Sequence, residues 1–518
     1  MKKLYLLIIA LAVFITVKAQ WVNDPENNTF IANADADAGE VYLATNAEGD
    51  TYVQWMQFFS NGWSPTLQRL NVLGEPQWGA DGIHIAAHEF SSMSEGVAMT
   101  ATTDGGVVSC FSIYDGYTYA VKINADGTYA WGETGVQLFN GQGFSRAECI
   151  AGDDGGVWTL GYDYDNLYLQ YVNADGSLNP CVTISDSSLD CAYGQLTLSN
   201  DNNVFVTYEK ISGGFGFYKE KRIVVAGYAT DGTQISPETL LMAGRTFQVT
   251  YCHTAIPDGQ GGGYVYIWHA GIGESFNTYV FHFDQNGAST ITDTDGIPVH
   301  TADPANYYLD AYATVDPTSH DILIAYRQTD ASTESIYNIL VNRITSDGER
   351  LWDEGKIIIG NSNKPCEGVH IDAFEDGTGF SVIYYLSGSP GSVETTVDAQ
   401  GFDMDGNAIW FTHMCSNLYN KTSDKNSTGF HRGQNIVVWV NANNGGLYGQ
   451  NISPNGEMGD LTTSVQEYED EDIIEILEVY NVNGQIVNRR VFDESNQGIY
   501  IIKGVTTSGK TTYRKILR

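Results

Sequence analysis

Short runs of β-branched and aromatic residues alternate with polar turns along almost the whole chain. Val157-Trp158-Thr159-Leu160 and Val437-Val438-Trp439-Val440 are continuous apolar runs of the kind that form strands buried on both faces. Leu167-Tyr168-Leu169-Gln170-Tyr171-Val172 and the segment Asn338 to Ile344 alternate with period two, as half-buried strands do. Tight turns separate the runs: Asp104-Gly105-Gly106, Asp154-Gly155-Gly156, Asp258-Gly259 and Asp376-Gly377. Asp-Gly at such places predicts type I′ hairpins. No amphipathic helical period is found after residue 19.

A second turn recurs at long range. It reads Leu73-Gly74, Asp126-Gly127, Asp175-Gly176, Asp231-Gly232, Asn286-Gly287, Asp347-Gly348, Asp405-Gly406 and Asn455-Gly456. In half the copies a tryptophan stands four residues after the glycine: Trp78, Trp131, Trp352 and Trp410. The glycines are 49 to 61 residues apart. A period of that length with several strands per repeat is the signature of a β-propeller. The expected fold is therefore all-β. Each repeat reads as four strands, and the eight marker turns predict an eight-bladed ring over residues 20–460. The last repeat, Asn435 to Gly456, lacks its Trp strand. Gln20-Trp21 followed by Thr29-Phe30-Ile31-Ala32 resembles Gln77-Trp78 followed by Gly82-Ile83-His84-Ile85-Ala86. The N-terminal segment 20–33 is thus predicted to close the last blade and remove an exposed edge.

The ends differ from the repeats. Lys2 and Lys3 precede an apolar run from Leu4 to Val17, and Val17-Lys18-Ala19 offers small residues for cleavage. Residues 1–19 therefore read as a signal peptide, with no membrane-spanning segment once it is removed. The acidic run Glu467-Tyr468-Glu469-Asp470-Glu471-Asp472 marks residues 461–474 as a solvated linker. Residues 475–518 read as a small β-sandwich-like module. From 481 to 518 there are seven Lys or Arg against two acids, in a chain of formal charge −37.

The pieces Tyr480-x-x-x-Gly484-x-x-Val487, Gly498-Ile499-Tyr500-Ile501-Ile502 and Lys515-Ile516-Leu517 follow one another up to the C-terminus. In this order they resemble the type A C-terminal sorting domain of type IX secretion in Bacteroidetes. The usual opening Pro-Asn-Pro segment is absent. The resemblance implies Tyr480, Gly484, Gly498, Tyr500 and Lys515 as sorting residues and the type IX machinery as a partner. It also implies delivery to the outside of the cell or its surface. The repeats themselves resemble a family common in secreted bacterial proteins, with the pattern Asp-Gly-x-Gly-Gly-x-x-Val-x-Trp, which is defined by architecture and transfers no catalytic residue.

Removing residues 1–19 takes away Lys2, Lys3 and Lys18 and no acid, which lowers the formal charge from −37 to −40. Such a charge opposes nucleic acid and anionic membranes as partners. The cysteine count, seven, is odd, and no Cys-x-x-Cys occurs. Single cysteines scattered on strands read as small buried hydrophobes, and Cys181 and Cys191, which flank the step between repeats, are the first pair to test for a disulfide.

Candidate chemistry is sparse. Asp153-x-Gly155-x-x-Trp158 resembles part of an Asp-box, a structural turn of sialidase-like propellers, but the arginine signature of a sialidase is missing. Asn33, Asp35, Asp37 and Gly39, and Asp403, Asp405 and Asn407, space oxygen ligands as calcium loops do. Neither carries the closing acidic ligand, so no cofactor is expected beyond a structural calcium ion at most. There is no Gly-x-Ser-x-Gly, no P-loop and no metal spacing among the histidines. Tyrosines off the repeat pattern are the binding candidates: Tyr114, Tyr117, Tyr162, Tyr164, Tyr307 and Tyr308. Three functions stay open. One is a secreted or surface binding module that recognises a glycan or protein through one propeller face. The second is a structural protein of the envelope, and the third is a polysaccharide-active hydrolase or lyase.

Overall fold

The computed structural model describes residues 21–35, 38–59, 62–86, 97–112, 117–141, 146–163, 165–212, 217–271, 274–332, 337–362, 366–387, 395–418, 427–441, 445–459, 473–481, 499–506 and 511–517. The chain divides into two compact units, Met1–Gly459 and Asp460–Arg518.

The first unit is an eight-bladed β-propeller. Seven four-stranded antiparallel sheets follow in chain order. They span 39–84, 97–137, 146–184, 189–248, 254–298, 306–362 and 366–418, and are blades one to seven. Blade eight combines the two ends of the unit. Asn435–Val440 pairs with Leu447–Ile452, which pairs with Thr29–Ala32 as the outermost strand. Thr29 stands opposite Gly449 and Ala32 opposite Leu447. The predicted closure is therefore present.

The core is distributed around the ring. Eight clusters of buried apolar side chains each lie between consecutive blades. One of them joins the ends, packing Trp21 and Ile31 with Trp55, Val53 and Val438. This arrangement explains continuous apolar strands such as the run Ile436 to Val440, since each inner strand is covered on both faces.

The turns differ from the predicted type. In the Asp104-Gly105 turn, Gly105 N–H donates to Thr102 O at 3.0 Å and Thr102 N–H to Gly106 O at 2.9 Å. Gly105 has φ +82°, whereas Asp104 is not among the positive-φ residues. This is a type I turn closed by a glycine bulge rather than type I′, because only one residue takes the left-handed conformation. The eight marker turns have the same bonding, for example Gly127 N–H to Asn124 O and Asn124 N–H to Thr128 O, both 2.8 Å.

The marker turns also link the blades. Trp78 Nε1 donates to Ala125 O in the next blade (3.1 Å), Trp131 to Ala174 O (3.1 Å) and Trp410 to Pro454 O (2.7 Å). Where the tryptophan is missing another donor reaches a carbonyl of the next turn, the same one for Asn179 and Thr290 and its neighbour for Ser236. Asn179 bonds Thr230 O, Ser236 bonds Asn286 O, and Thr290 bonds Ser346 O. Gln434 reaches Val72 O across the closure at 2.8 Å.

Cys181 and Cys191 are both free thiols. They belong to different inter-blade cores, as small hydrophobes do, and no disulfide joins them. In the second unit, Ile473–Asn481, Ile499–Thr506 and Thr511–Leu517 form one antiparallel sheet with Ile499–Thr506 in the middle. Tyr480 and Lys515 each pair with Ile501, and Tyr500 pairs with Asn481 and Ile516. Gly484 and Gly498, like the signal segment 1–19, lie outside the described residues. Among the described residues no helix is long and apolar enough to cross a membrane.

Candidate functional site

Each blade is an up-and-down meander, so both Gly turns of a repeat fall on one face of the ring. The loops between second and third strands, and the blade-to-blade connections, fall on the other. The turn face is occupied by the inter-blade bonds described above. The loop face is where the repeats diverge, and blade four diverges most. Its third and fourth strands, Tyr218–Tyr228 and Gln234–Gln248, have 11 and 15 residues. The equivalent strands of blade three, Leu167–Val172 and Val182–Ile184, have 6 and 3.

The first strand of blade four, Leu189–Leu198, shifts register between Ala192 and Gln195. Tyr193 in that bulge has φ +53°, a conformation that costs a tyrosine energy and is held by its surroundings. The bulge brings Tyr193 beside Tyr162 at the end of a blade-three strand, with ring centroids 5.8 Å apart. A small recess of about 10 Å³ lies beside Tyr162, lined by Glu148, Leu160, Gly161, Tyr162, Leu167 and Gly194. Gln195 Nε2 donates to Glu148 Oε1 at 3.3 Å at its edge. Both tyrosines are half-buried, so part of each ring remains open to solvent.

A buried charge cluster stands under Tyr193. Lys221 Nζ lies 5.0 Å from the Tyr193 ring centroid and 5.3 Å from that of Phe247. It pairs with Glu209 Oε2 at 2.7 Å, both side chains having no exposure. Lys221 also donates to Val249 O (2.9 Å) and Tyr251 O (2.7 Å), which fixes the connection to blade five. Glu209 Oε1 accepts from His253 N–H at 3.1 Å, and His253 Nε2 meets Thr207 Oγ1 at 3.1 Å. Burial opposes the Glu209 charge, yet His253 and Lys221 together hold its carboxyl below the usual range.

Aromatic rings continue from this cluster across blades five and six. Phe247 stacks on His269 (4.5 Å) and His269 on Tyr279 (4.7 Å). The Arg245 guanidinium lies 5.4 Å from the Tyr279 centroid and pairs with Asp295 at 3.0 Å. Burial, with Arg245 and Lys221 nearby, pushes the His269 imidazole down to about 4, so it is neutral at pH 7. Tyr251 meets Trp268 at 4.5 Å and Phe276 at 5.5 Å, and Phe276 meets Tyr307 edge-on at 5.2 Å. Tyr251, Trp268, Phe276 and Tyr307 are all half-buried.

The structure thus brings Tyr162 and Tyr307 onto one aromatic face. Tyr308 instead sits in the core between blades five and six, 1% exposed, stacked on His300 at 4.1 Å. Tyr117 is exposed at the edge of blade two, beside Gly141. Tyr114 and Tyr164 lie outside the described residues. Tyr193, Lys221 and the Glu209–His253 pair were not singled out by sequence reasoning, although the long fourth strand of blade four was a visible departure from the repeat. The Asp-box-like turn is structural, with Trp158 Nε1 donating to Asn202 O of the next blade at 2.8 Å. In the second calcium-like turn, Asp403 Oδ1 accepts backbone N–H groups of Asp405 (3.0 Å) and Asn407 (2.8 Å). Asp37 of the first is outside the described residues. No group of three His, Cys, Asp or Glu among the described residues is placed to hold a metal ion.

No family model matches the sequence, and no curated protein matches it. Solved structures match at the level of fold. One is the polysaccharide lyase Uly1, at 11% identity and TM-score 0.44, covering 74% of this chain and 93% of that one. A second is a PL25 ulvan lyase bound to -[GlcA(1-4)Rha3S]-, at 11% identity and TM-score 0.43, covering 85% and 98%. A puromycin hydrolase matches at 11% identity and TM-score 0.42, covering 93% and 62%.

Proposed function

We propose that this protein is a secreted or cell-surface propeller that binds a glycan through the loop face of blades three to six. The observation that carries this reading is the pair of half-open rings, Tyr162 and Tyr193, at the edge of a small recess. Half-open aromatic rings offer flat apolar surfaces to a sugar ring, and Glu148 and Gln195 at the same place offer hydrogen bonds to its hydroxyls. The Lys221–Glu209 cluster beneath holds Tyr193 in place, so the platform is organised before a ligand arrives. The test is binding of the full-length secreted protein to a panel of polysaccharides, read by affinity electrophoresis.

Cleavage of the bound polysaccharide is the second reading. It is favoured by the half-buried Tyr279 ring with the Arg245 guanidinium beside it. A base next to a cation is what proton removal beside a sugar carboxylate needs. Incubating the panel with the protein and following new reducing or unsaturated ends separates this reading from simple binding.

Delivery belongs to the same proposal. The signal-like residues 1–19 and the sorting-like residues 475–518 support export by the type IX machinery. In the native host, a chain ending at Asp460 should fold and remain in the periplasm. Normal surface delivery of that shortened chain would refute the sorting role.

A further inference from the structure

Blade seven carries a chain of polar contacts that the glycan reading does not use. Asp398 lies on the third strand, Thr395–Asp403, directly opposite His413 on the fourth, Ala408–Leu418. Asp398 Oδ1 is 2.6 Å from His413 Nδ1, and His413 Nε2 is 2.9 Å from Ser416 Oγ. Ser416 Oγ in turn donates to the Glu26 carboxylate. Glu26 belongs to the N-terminal segment that closes the ring. The same stretch is held to the same strand by Ser416 N–H to Pro25 O (3.1 Å) and Asn28 Nδ2 to Met414 O (3.0 Å).

The three contacts need three hydrogens. The serine hydroxyl has one, and it goes to Glu26, because a carboxylate can only accept. The imidazole must therefore supply the other two: one from Nδ1 to the Asp398 carboxylate and one from Nε2 to the serine oxygen. A neutral imidazole has only one N–H, so it can satisfy two of the three contacts at most. If it keeps the Asp398 bond, the serine proton must turn back to Nε2 and leave Glu26. Histidine is the side chain whose charge changes most readily between mildly acid and neutral pH.

We propose that Asp398, His413, Ser416 and Glu26 form a proton-dependent clasp on the ring closure. With the imidazolium present the chain is complete and the N-terminal segment is tied to blade seven. When the imidazole is neutral and keeps its Nδ1–H on Asp398, the Ser416–Glu26 link is lost and the segment opens more often. Among the described residues, Asp398 on the neighbouring strand, Ser416 on the same strand and Glu26 on the N-terminal segment are the polar groups of this chain. His413 is 37% and Asp398 10% exposed, so protons reach the site from solvent. The arrangement resembles a nucleophilic Ser-His-Asp set in its distances. With the imidazolium present the serine proton goes to Glu26 and the set has no base, which is the state the clasp requires.

The experiment is hydrogen exchange of residues 21–32 in the full-length protein at pH 6 and pH 8, corrected for intrinsic exchange rates. The wild type should open roughly three- to tenfold more often at pH 8, the size expected for loss of one partly exposed charge-assisted link. Ser416→Ala and His413→Gln should each abolish that difference while leaving exchange in blades two to five unchanged. Equal opening at the two pH values in the wild type, or a difference that persists in both variants, would overturn the clasp.

Discussion

The Trp21 indole occupies the space where a side chain on Gly74 would begin. A Cβ on Gly74 would lie 2.6 Å from Trp21 Cε2, and Gly74 itself has φ +78°. Trp78 with Gly127, Trp131 with Gly176 and Trp410 with Gly456 repeat the relationship between successive blades. Trp21 thereby seats the N-terminal segment, whose strand Thr29–Ala32 completes blade eight, against the marker turn of blade one. Replacing Trp21 with Ala should cost about 3–5 kcal/mol of unfolding free energy, as for other buried aromatic truncations. Urea unfolding with one cooperative transition would measure it. A change under about 0.5 kcal/mol would mean that the closure contributes little.

Gly456 should be equally intolerant. A Cβ there would approach Trp410 Cδ2 to 2.6 Å, and the residue has φ +77°. Gly456→Ala should therefore destabilise by about 1–3 kcal/mol through strain and overpacking. Gly105→Ala is the comparison, because nothing lies within 4 Å of a Cβ at that position although its φ is also positive, +82°. The difference between the two losses isolates the tryptophan contact.

The buried pair under Tyr193 gives a third expectation. Lys221→Met leaves Glu209 charged and without its ammonium partner in a fully buried place. The loss should be about 3–5 kcal/mol, while Lys221→Met combined with Glu209→Leu should recover part of it. A double-mutant cycle in urea reads the coupling. Additive losses would mean that the pair is not an energetic unit.

Acid should act on His269 in a defined direction. Its imidazole titrates near 4 in the folded protein against an ordinary value of 6.5, so the unfolded chain binds more protons between those values. Stability from this group is therefore complete above about pH 6.5 and falls as the pH drops towards 4. Asp372 acts oppositely, since burial pushes its carboxyl up to about 6. The informative quantity is thus a difference between proteins. His269→Phe, which preserves stacking between Phe247 and Tyr279, should lose about 2 kcal/mol less than the wild type between pH 7.5 and pH 5. Identical losses would show that His269 is not the group responsible.

The repeat was legible because glycine is demanded by geometry at every marker turn, and tryptophan is conspicuous where it caps the next one. The non-tryptophan links were not legible, because Asn179, Ser236 and Thr290 reach carbonyls of the next turn with ordinary donors. The turn type was misread because Asp-Gly suits both a type I′ turn and a type I turn with a glycine bulge. Tyr162 and Tyr307 stood out as tyrosines off the repeat, and they do lie on the aromatic face. Tyr308 shared that signal but faces the core, since neighbouring strand residues point to opposite sides. Tyr193 escaped notice because its place depends on a register shift between Ala192 and Gln195, which alternation along the strand does not display. Lys221 looked like one cation in a polar run, and only the fold shows it buried against Glu209.

Recognition through the loop face stands or falls on the effect of two tyrosines on glycan binding. Affinity electrophoresis against a polysaccharide panel should show retardation of the full-length protein by at least one polymer. Tyr162→Ala and Tyr193→Ala should each weaken that binding about tenfold, the loss of one aromatic contact of about 1.4 kcal/mol. Val72→Ala, an exposed change on the opposite, turn face, should leave it unchanged. Binding that survives both tyrosine substitutions, or retardation by none of the polymers, would contradict recognition through this face.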